Sequence, residues 1–379
     1  MKKIVLYYGP KAQFMELLPG GTQIMTISEL AILSDRKMRE HVFQIQSRSR
    51  EPSVQEEKKM PVPCLVGFSD QYAAISESAI QGFLSFLDQY DVEELYLQTP
   101  PRGMAEQFFK LHAEVQVLAY RYRTIDEAAL REINAGYPET IIGQEKVLHQ
   151  LLTSLYPLCK EGFEKPVVLL FHGPTGVGKT ETAIFLSRIL RQPLFRRQLS
   201  MYNSSEFASY MFGGRHSQTC FAKDLMERES NIILLDEFDK PNPMFHSAFY
   251  QIFDEGIYAD KNYTADVRRA VIICTSNYKS AEDAREHLGA PLFARFDAVI
   301  QFDALSQQSI EKILSRQYHT ELDTLTDREL SRIEPRRDEL YRAMLAEVPN
   351  LDNVRQIRRV VRGVLSDALL EAVLNPDNP

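Results

Sequence analysis

Residues 169–186 read LLFHGPTGVGKTETAIFL. An apolar run gives way to glycines at 173, 176 and 178, then Lys179 and Thr180, and passes straight into a helical pattern. Gly173-Pro174-Thr175-Gly176-Val177-Gly178-Lys179-Thr180 fits G-x-x-x-x-G-K-[ST] in the strand–turn–helix context that the pattern requires. The residue types follow from the chemistry of a phosphate cradle. Glycines let backbone N–H groups turn inward, and the following helix terminus adds positive potential. Lys179 can then reach the β- and γ-oxygens, and the Thr180 hydroxyl can ligate Mg²⁺.

Two further buried runs complete the pattern. NIILLDEFDK places Asp236 at the carboxyl end of a strand, where open α/β sheets keep their ligands. Asp236 there can hold Mg²⁺ directly or through water, and Glu237 can orient and activate water. AVIICTSN ends in Asn277, which either caps a turn or hydrogen-bonds the attacking water or the γ-phosphate.

The expected fold is α/β, with three domains. Residues 1–134 alternate apolar runs (KIVLYY, PCLVGF, EELYLQ) with amphipathic stretches (ESAIQGFLSFLDQY, GMAEQFFKLHAEV), as a separate N-terminal α/β domain would. Between them QSRSREPSVQEEKKMPVP is charged and proline-bearing and predicts an exposed loop. Residues 135–302 hold PVVLLFHG, NIILLDE, AVIICTSN and DAVIQF, as in a parallel sheet covered on both faces. Residues 303–379 lack strand patterns. Ile310, Ile313, Leu314 and Tyr318 form one helical stripe there, and Val354, Ile357, Val361, Val364 and Leu365 another, so a small helical domain is expected.

Composition narrows the function classes. A net charge of −8 argues against a general polyanion binder. Four cysteines without a CxxC pair suggest neither a disulfide framework nor a zinc site, and fit a reducing cytoplasm. No run approaches the ~18 apolar residues of a membrane helix, and the start, MKKIVLYYGP, is too short for a secretory segment.

The order phosphate loop, LLDE, TSN and ARFD resembles the AAA+ ATPases, specifically their Clp/Hsp100 branch, over roughly residues 138–370. The resemblance implies a phosphate-loop α/β domain with a helical lid, ATP and Mg²⁺ as cofactors, and a ring, usually a hexamer. IIGQEKVLHQLL is similar to the family's GQ box, which implies Ile141 and Ile142 against adenine. FARFD implies Arg295 as an arginine finger on the next subunit's γ-phosphate, with a surface pair to Asp297 as the alternative. LDNVRQIRR resembles the lid signature GARxxxR and implies Arg355 as the nucleotide-sensing arginine. With Asp352 as cap, Arg355 falls in the first turn, where a cation opposes the helix dipole by ~0.3–1 kcal/mol. Arg358 and Arg362 are expected solvated or paired on the helix face.

The family's GYVG substrate grip has no counterpart in MYNSSEFASYMFGGRHSQTCFAKDLMERESN. Tyr210-Met211-Phe212-Gly213 either serves as the grip or packs the preceding helix, and Arg215, His216 and Lys223 give the loop a basic character; the favoured expectation is the charged contact, with Phe212 buried. Three functions follow: a ring ATPase remodelling a protein recruited by residues 1–134, an ATP-controlled switch or scaffold, or a nucleic-acid motor. The basic loop supports the third and the acidic total opposes it.

Overall fold

The computed structural model describes residues 1–36, 59–111, 114–201, 204–215 and 217–375. Its contacts divide into two compact units. One gathers Met1–Arg123 with two later inserts, Tyr202–Asn231 and Ser247–Arg268; the other gathers Thr124–Met201, Ile232–His246 and Arg269–Pro379.

The first unit is built on five parallel strands: β1 (Lys3–Tyr8), β2 (Ile24–Thr26), β3 (Met60–Gly67), β4 (Tyr90–Gln98) and β5 (Val115–Ala119), in the order β2-β3-β4-β1-β5. β1, β3 and β4 coincide with the expected apolar runs. The charged stretch 46–63 lies largely outside the described residues, but its end, MPVP, opens β3 rather than a loop. β5 is a strand where a helix was expected to run on, because the helix Arg102–Lys110 stops short of it.

In the inserts, the helix Ser204–Phe212 buries Tyr210 and Met211 and leaves Phe212 49% exposed, contrary to the expected buried ring. Phe221, fully buried, fills that core from the helix Phe221–Met226, beside Tyr210 and Tyr258. Lys223 lies in the same helix and donates to the Ser69 carbonyl at 2.9 Å, so it is not at a loop tip. Arg215 is exposed; His216 lies outside the described residues. β9 (Ile257–Ala259) and β10 (Thr264–Asp266) form an antiparallel hairpin in the second insert.

The second unit carries the other parallel sheet: β6 (Val167–His172), β7 (Phe195–Gln198), β8 (Ile232–Asp236), β11 (Val271–Thr275) and β12 (Ala298–Gln301), in the order β12-β6-β11-β8-β7. β6, β8 and β11 are buried along their whole length, as continuous apolar runs require of a sheet covered on both faces. Helices from Gln307 onward complete this unit, and both sequence stripes pack into its core. No helix among the described residues is long and apolar enough to cross a membrane.

Candidate functional site: a phosphate-binding pocket

β6 pairs with β11 on one side and β12 on the other, so the phosphate loop leaves the sheet from between two supports. Gly173, Gly176 and Gly178 have φ of 131°, 73° and 115°, a region open to glycine but not to most side chains. Space enforces the same choice, since a Cβ at Gly173 would lie 2.2 Å from the Phe302 carbonyl oxygen. Lys179 opens the helix Lys179–Ile189 and is buried. Its Nζ donates to the carbonyls of Gly173 (2.6 Å) and Pro174 (2.7 Å) and to Asn277 Oδ1 (3.3 Å). Burial pushes the ammonium pKa down to about 8, with Asp239 and Asp236 opposing the shift. A cation so placed is short of a negative partner.

The acidic pair sits at the carboxyl end of β8. Asp236 accepts from Arg196 Nη2 at 2.5 Å and from the Thr275 hydroxyl. Glu237 has φ 57°, a conformation that costs of order 1–3 kcal/mol in a non-glycine residue and that gathers at functional sites. Hydrogen bonds from Ser200 and Gln198 hold its carboxyl below the ordinary range, so it is ionised at neutral pH. Thr275 Oγ1 accepts from the Glu237 N–H at 3.1 Å while donating to Asp236, locking the pair to β11.

The lid closes one wall. Asn353, not Asp352, caps the helix Val354–Leu374, accepting from the Gln356 N–H at 3.0 Å. Asp352 instead takes the Asn353 side-chain amide at 2.5 Å, because the shorter reach from position 353 meets the helix amide. Arg355 still falls in the first turn. Val354 N–H donates to the Gly176 carbonyl at 3.0 Å, fastening lid to phosphate loop. A pocket of about 380 Å³ results, within the size range of ligand sites. Ile141, Ile142, Val177, Lys179, Thr180 and Arg355 line it. Arg358 lines it too, departing from its expected place, while Arg362 pairs with Glu321 at 2.8 Å as expected of a helix-face arginine.

Arg295 is not among the residues lining that pocket. It follows the short helix Ala290–Phe293 and donates Nη1 to the Pro291 carbonyl at 2.5 Å. Asp297 receives the Val168 N–H at 2.7 Å. Pro174 and Thr175 are exposed at the loop tip.

Sequence reasoning missed Arg196, Gln198, Ser200 and Thr275, the residues that hold the acidic pair. It also missed Gln144, buried, which donates to the Val177 carbonyl (3.2 Å) and the Asp303 carbonyl (2.9 Å) and so ties the segment before the pocket to the loop. β7, the strand carrying Arg196 and Gln198, has four residues, FRRQ, and no apolar run to announce it.

Residues 164–324 match the family model for the AAA domain (Cdc48 subfamily). A ClpA homolog protein of Fuscovulum blasticum is 30% identical over 221 residues, half of this chain and 28% of the relative. The ATP-binding subunit ClpE of the ATP-dependent Clp protease of Bacillus subtilis is 26% identical over 289 residues, 66% of this chain and 40% of the relative. The matched region is thus similar to an AAA domain, and the relatives it resembles are Clp proteins. It spans between about a quarter and two fifths of the length of these curated relatives. In fold it is similar to a chain of the closed-state cryo-EM reconstruction of Hsp104 with ATPγS and FITC casein, at TM-score 0.54 and 12% identity, covering 98% of this chain and 89% of that one.

The pocket fits ATP with Mg²⁺. Positive-φ glycines form a cradle that no side chain could fill, a buried ammonium lacks an anion, and two isoleucines offer an apolar face. Among the described residues no three His, Cys, Asp or Glu gather as a metal cage.

Proposed function

We propose that this chain hydrolyses ATP and uses the cycle to remodel a protein partner or complex, as a ring, most simply a hexamer, in the cytoplasm. The observation that carries the reading is that Lys179 and Arg355 line one pocket, with Asn277 on the Lys179 ammonium at 3.3 Å and Glu237 near enough to Arg355 to feel its charge. The division 1–134, 135–302 and 303–379 is proposed as partner recognition, nucleotide binding and lid.

In this reading Gly173, Pro174, Thr175, Gly176, Val177 and Gly178 wrap the phosphates, and Lys179 neutralises the β- and γ-oxygens. Ile141 and Ile142 pack on adenine. Thr180 and, directly or through water, Asp236 would hold Mg²⁺, which would supply neutralisation of phosphate charge; the Asp236 oxygens already accept two hydrogen bonds. Glu237, ionised and released from Gln198 and Ser200, takes the proton of the attacking water. Asn277 orients that water or the γ-phosphate, and Arg355 senses the phosphate from the lid. Arg295 serves the neighbouring subunit's γ-phosphate.

A second reading, the ATP-controlled switch, draws on the inserts. The segment between the phosphate loop and β8 belongs to the same compact unit as the N-terminal sheet and lacks a GYVG grip. A pull-down with Glu237→Gln in ATP separates the readings. Polypeptide retained by the trap but not by Lys179→Ala supports remodelling; a single stoichiometric partner held without turnover-linked release supports the switch; retained nucleic acid contradicts both.

A further inference from the structure

The N-terminal sheet has a reversal of its own. β1 and β4 are neighbours, yet the chain leaves β1 for β2 at one edge and leaves β4 for β5 at the other. The two exits use opposite faces. Phe14, after β1, packs with Val5, Tyr7 and Tyr96, whereas Met104, Ala105 and Phe108, after β4, pack with Leu6, Leu95 and Leu97. Such a switch opens a crevice outside the carboxyl ends of the two strands, where parallel sheets take ligands.

Among the described residues, that end of the sheet holds buried polar atoms with no hydrogen-bond partner. Thr99, directly after β4, is 0% exposed and its Oγ1 has no hydrogen-bond partner. Tyr7 is 4% exposed, and its hydroxyl is equally orphaned, as is Gln13 Oε1. An unmet buried polar atom is costly, so two hydroxyls and one amide oxygen near one strand terminus ask for a partner. Position is fixed by contacts. A Cβ at Gly9 would lie 2.6 Å from Tyr7 Oη and 2.6 Å from Tyr120 Cβ, and the Thr99 N–H donates to the Tyr7 carbonyl at 2.7 Å.

Charge and aromatic surface adjoin them. The helix Arg102–Lys110 begins three residues after Thr99; its first amide already donates to the Asn262 carbonyl at 2.7 Å, which leaves the Arg102 guanidinium as the charged group at this end. Arg102 pairs with no carboxylate among the described residues; its guanidinium donates to the carbonyls of Asp260 and Tyr263 (both 3.2 Å) and to Thr264 Oγ1 (2.6 Å). Tyr120 stands edge-on to Tyr122 at 4.8 Å.

We propose that this crevice binds a ribonucleotide, independently of the phosphate-loop pocket. Its phosphate takes the Arg102 guanidinium, its base lies on Tyr120, and the hydroxyls of Thr99 and Tyr7 meet its polar edges. Because Arg102 also holds the β9–β10 turn, phosphate binding competes with that turn and loosens it. The N-terminal unit is thereby a nucleotide sensor whose output is the hairpin.

The test uses the full chain carrying Lys179→Ala, so that the phosphate-loop pocket is silent. AMP, GMP, CMP and UMP are titrated by calorimetry, with inorganic phosphate as control, and hydrogen exchange is followed at residues 257–266. Expected is saturable binding of at least one nucleotide, tighter than phosphate, with faster exchange in the hairpin. Thr99→Val, isosteric without the hydroxyl, should weaken it by about tenfold or more, and Thr99→Ser should bind as the parent does. No binding by any of the four, binding no tighter than phosphate, or binding indifferent to Thr99→Val and Arg102→Gln would overturn the proposal.

Discussion

β6 ends in Gly173 and runs through a glycine turn into an 11-residue helix, whereas β4 ends in Thr99 and two prolines before its own helix. Both strands belong to five-stranded parallel sheets, and both place polar atoms at their carboxyl ends. In the first sheet those atoms are paired: Lys179 with carbonyls and Asn277, Asp236 with Arg196 and Thr275, Glu237 with Gln198. In the second, Thr99 and Tyr7 keep buried hydroxyls without partners. The difference teaches that a site can advertise itself in two ways. A loop that must hug phosphate from its backbone restricts residue types over eight consecutive positions and is visible in one dimension. A site assembled from single side chains on separate strands restricts none of them strongly, and emerges only as unmet hydrogen bonds in three.

The comparison can be broken at its strong end first. Lys179→Ala should abolish ATP binding, a loss beyond about 100-fold, since a charge-assisted contact to buried phosphate is removed. Unchanged affinity by titration would move the nucleotide elsewhere. Arg295→Ala should slow turnover by ~10³-fold or more with ATP affinity kept, as for a finger acting on the transition state. Mixing Arg295→Ala with Lys179→Ala subunits should recover activity at mixed interfaces; mixtures that co-assemble yet never exceed the sum of the two would remove the trans assignment.

The inserts give a smaller, sharper contrast. Phe221→Ala should cost ~3–5 kcal/mol of stability, since its ring is fully buried, while Phe212→Ala, half exposed, should cost less than about 1 kcal/mol. Denaturant unfolding measures both, and equal costs would mean that the helix Ser204–Phe212 packs differently from this structure.

The smallest effect is in pH. Lys179 sits near pKa 8 without ligand, below its ordinary 10.5, because burial disfavours the charge. Above about pH 8 the empty site therefore holds a growing share of neutral amine, and phosphate restores its proton. ATP binding should take up protons there and weaken by up to about tenfold per pH unit, and this group should add no uptake well below pH 8. Calorimetry in buffers of different ionisation enthalpy reads the uptake; its absence near pH 9 would contradict the lowered pKa of Lys179.

How much of this was legible follows from the kind of constraint. The apolar runs around Leu169, Leu234 and Ile273 are long enough to be buried on both faces, so β6, β8 and β11 were read directly. β2 and β7 have three and four residues and no apolar run, and they are strands only because a neighbouring strand offers its edge. Glu237 and Asp236 were visible as an acidic pair, but their holders, Arg196, Gln198 and Thr275, come from two other strands and have no spacing to betray them. The helix cap was misplaced by one residue, at Asp352 instead of Asn353, since both residue types serve. Phe212 was taken as core from its hydrophobicity, although Tyr210, Met211 and Phe221 already fill that space.

The central claim is that one pocket binds ATP through its phosphate loop and hydrolyses it through Glu237. Glu237→Gln, assayed for ATP affinity and for steady-state phosphate release on the same preparation, tests it most directly. Affinity should match wild type and turnover should fall at least ~10²-fold, since an amide cannot take the proton of water. Wild-type turnover in that variant would contradict the account.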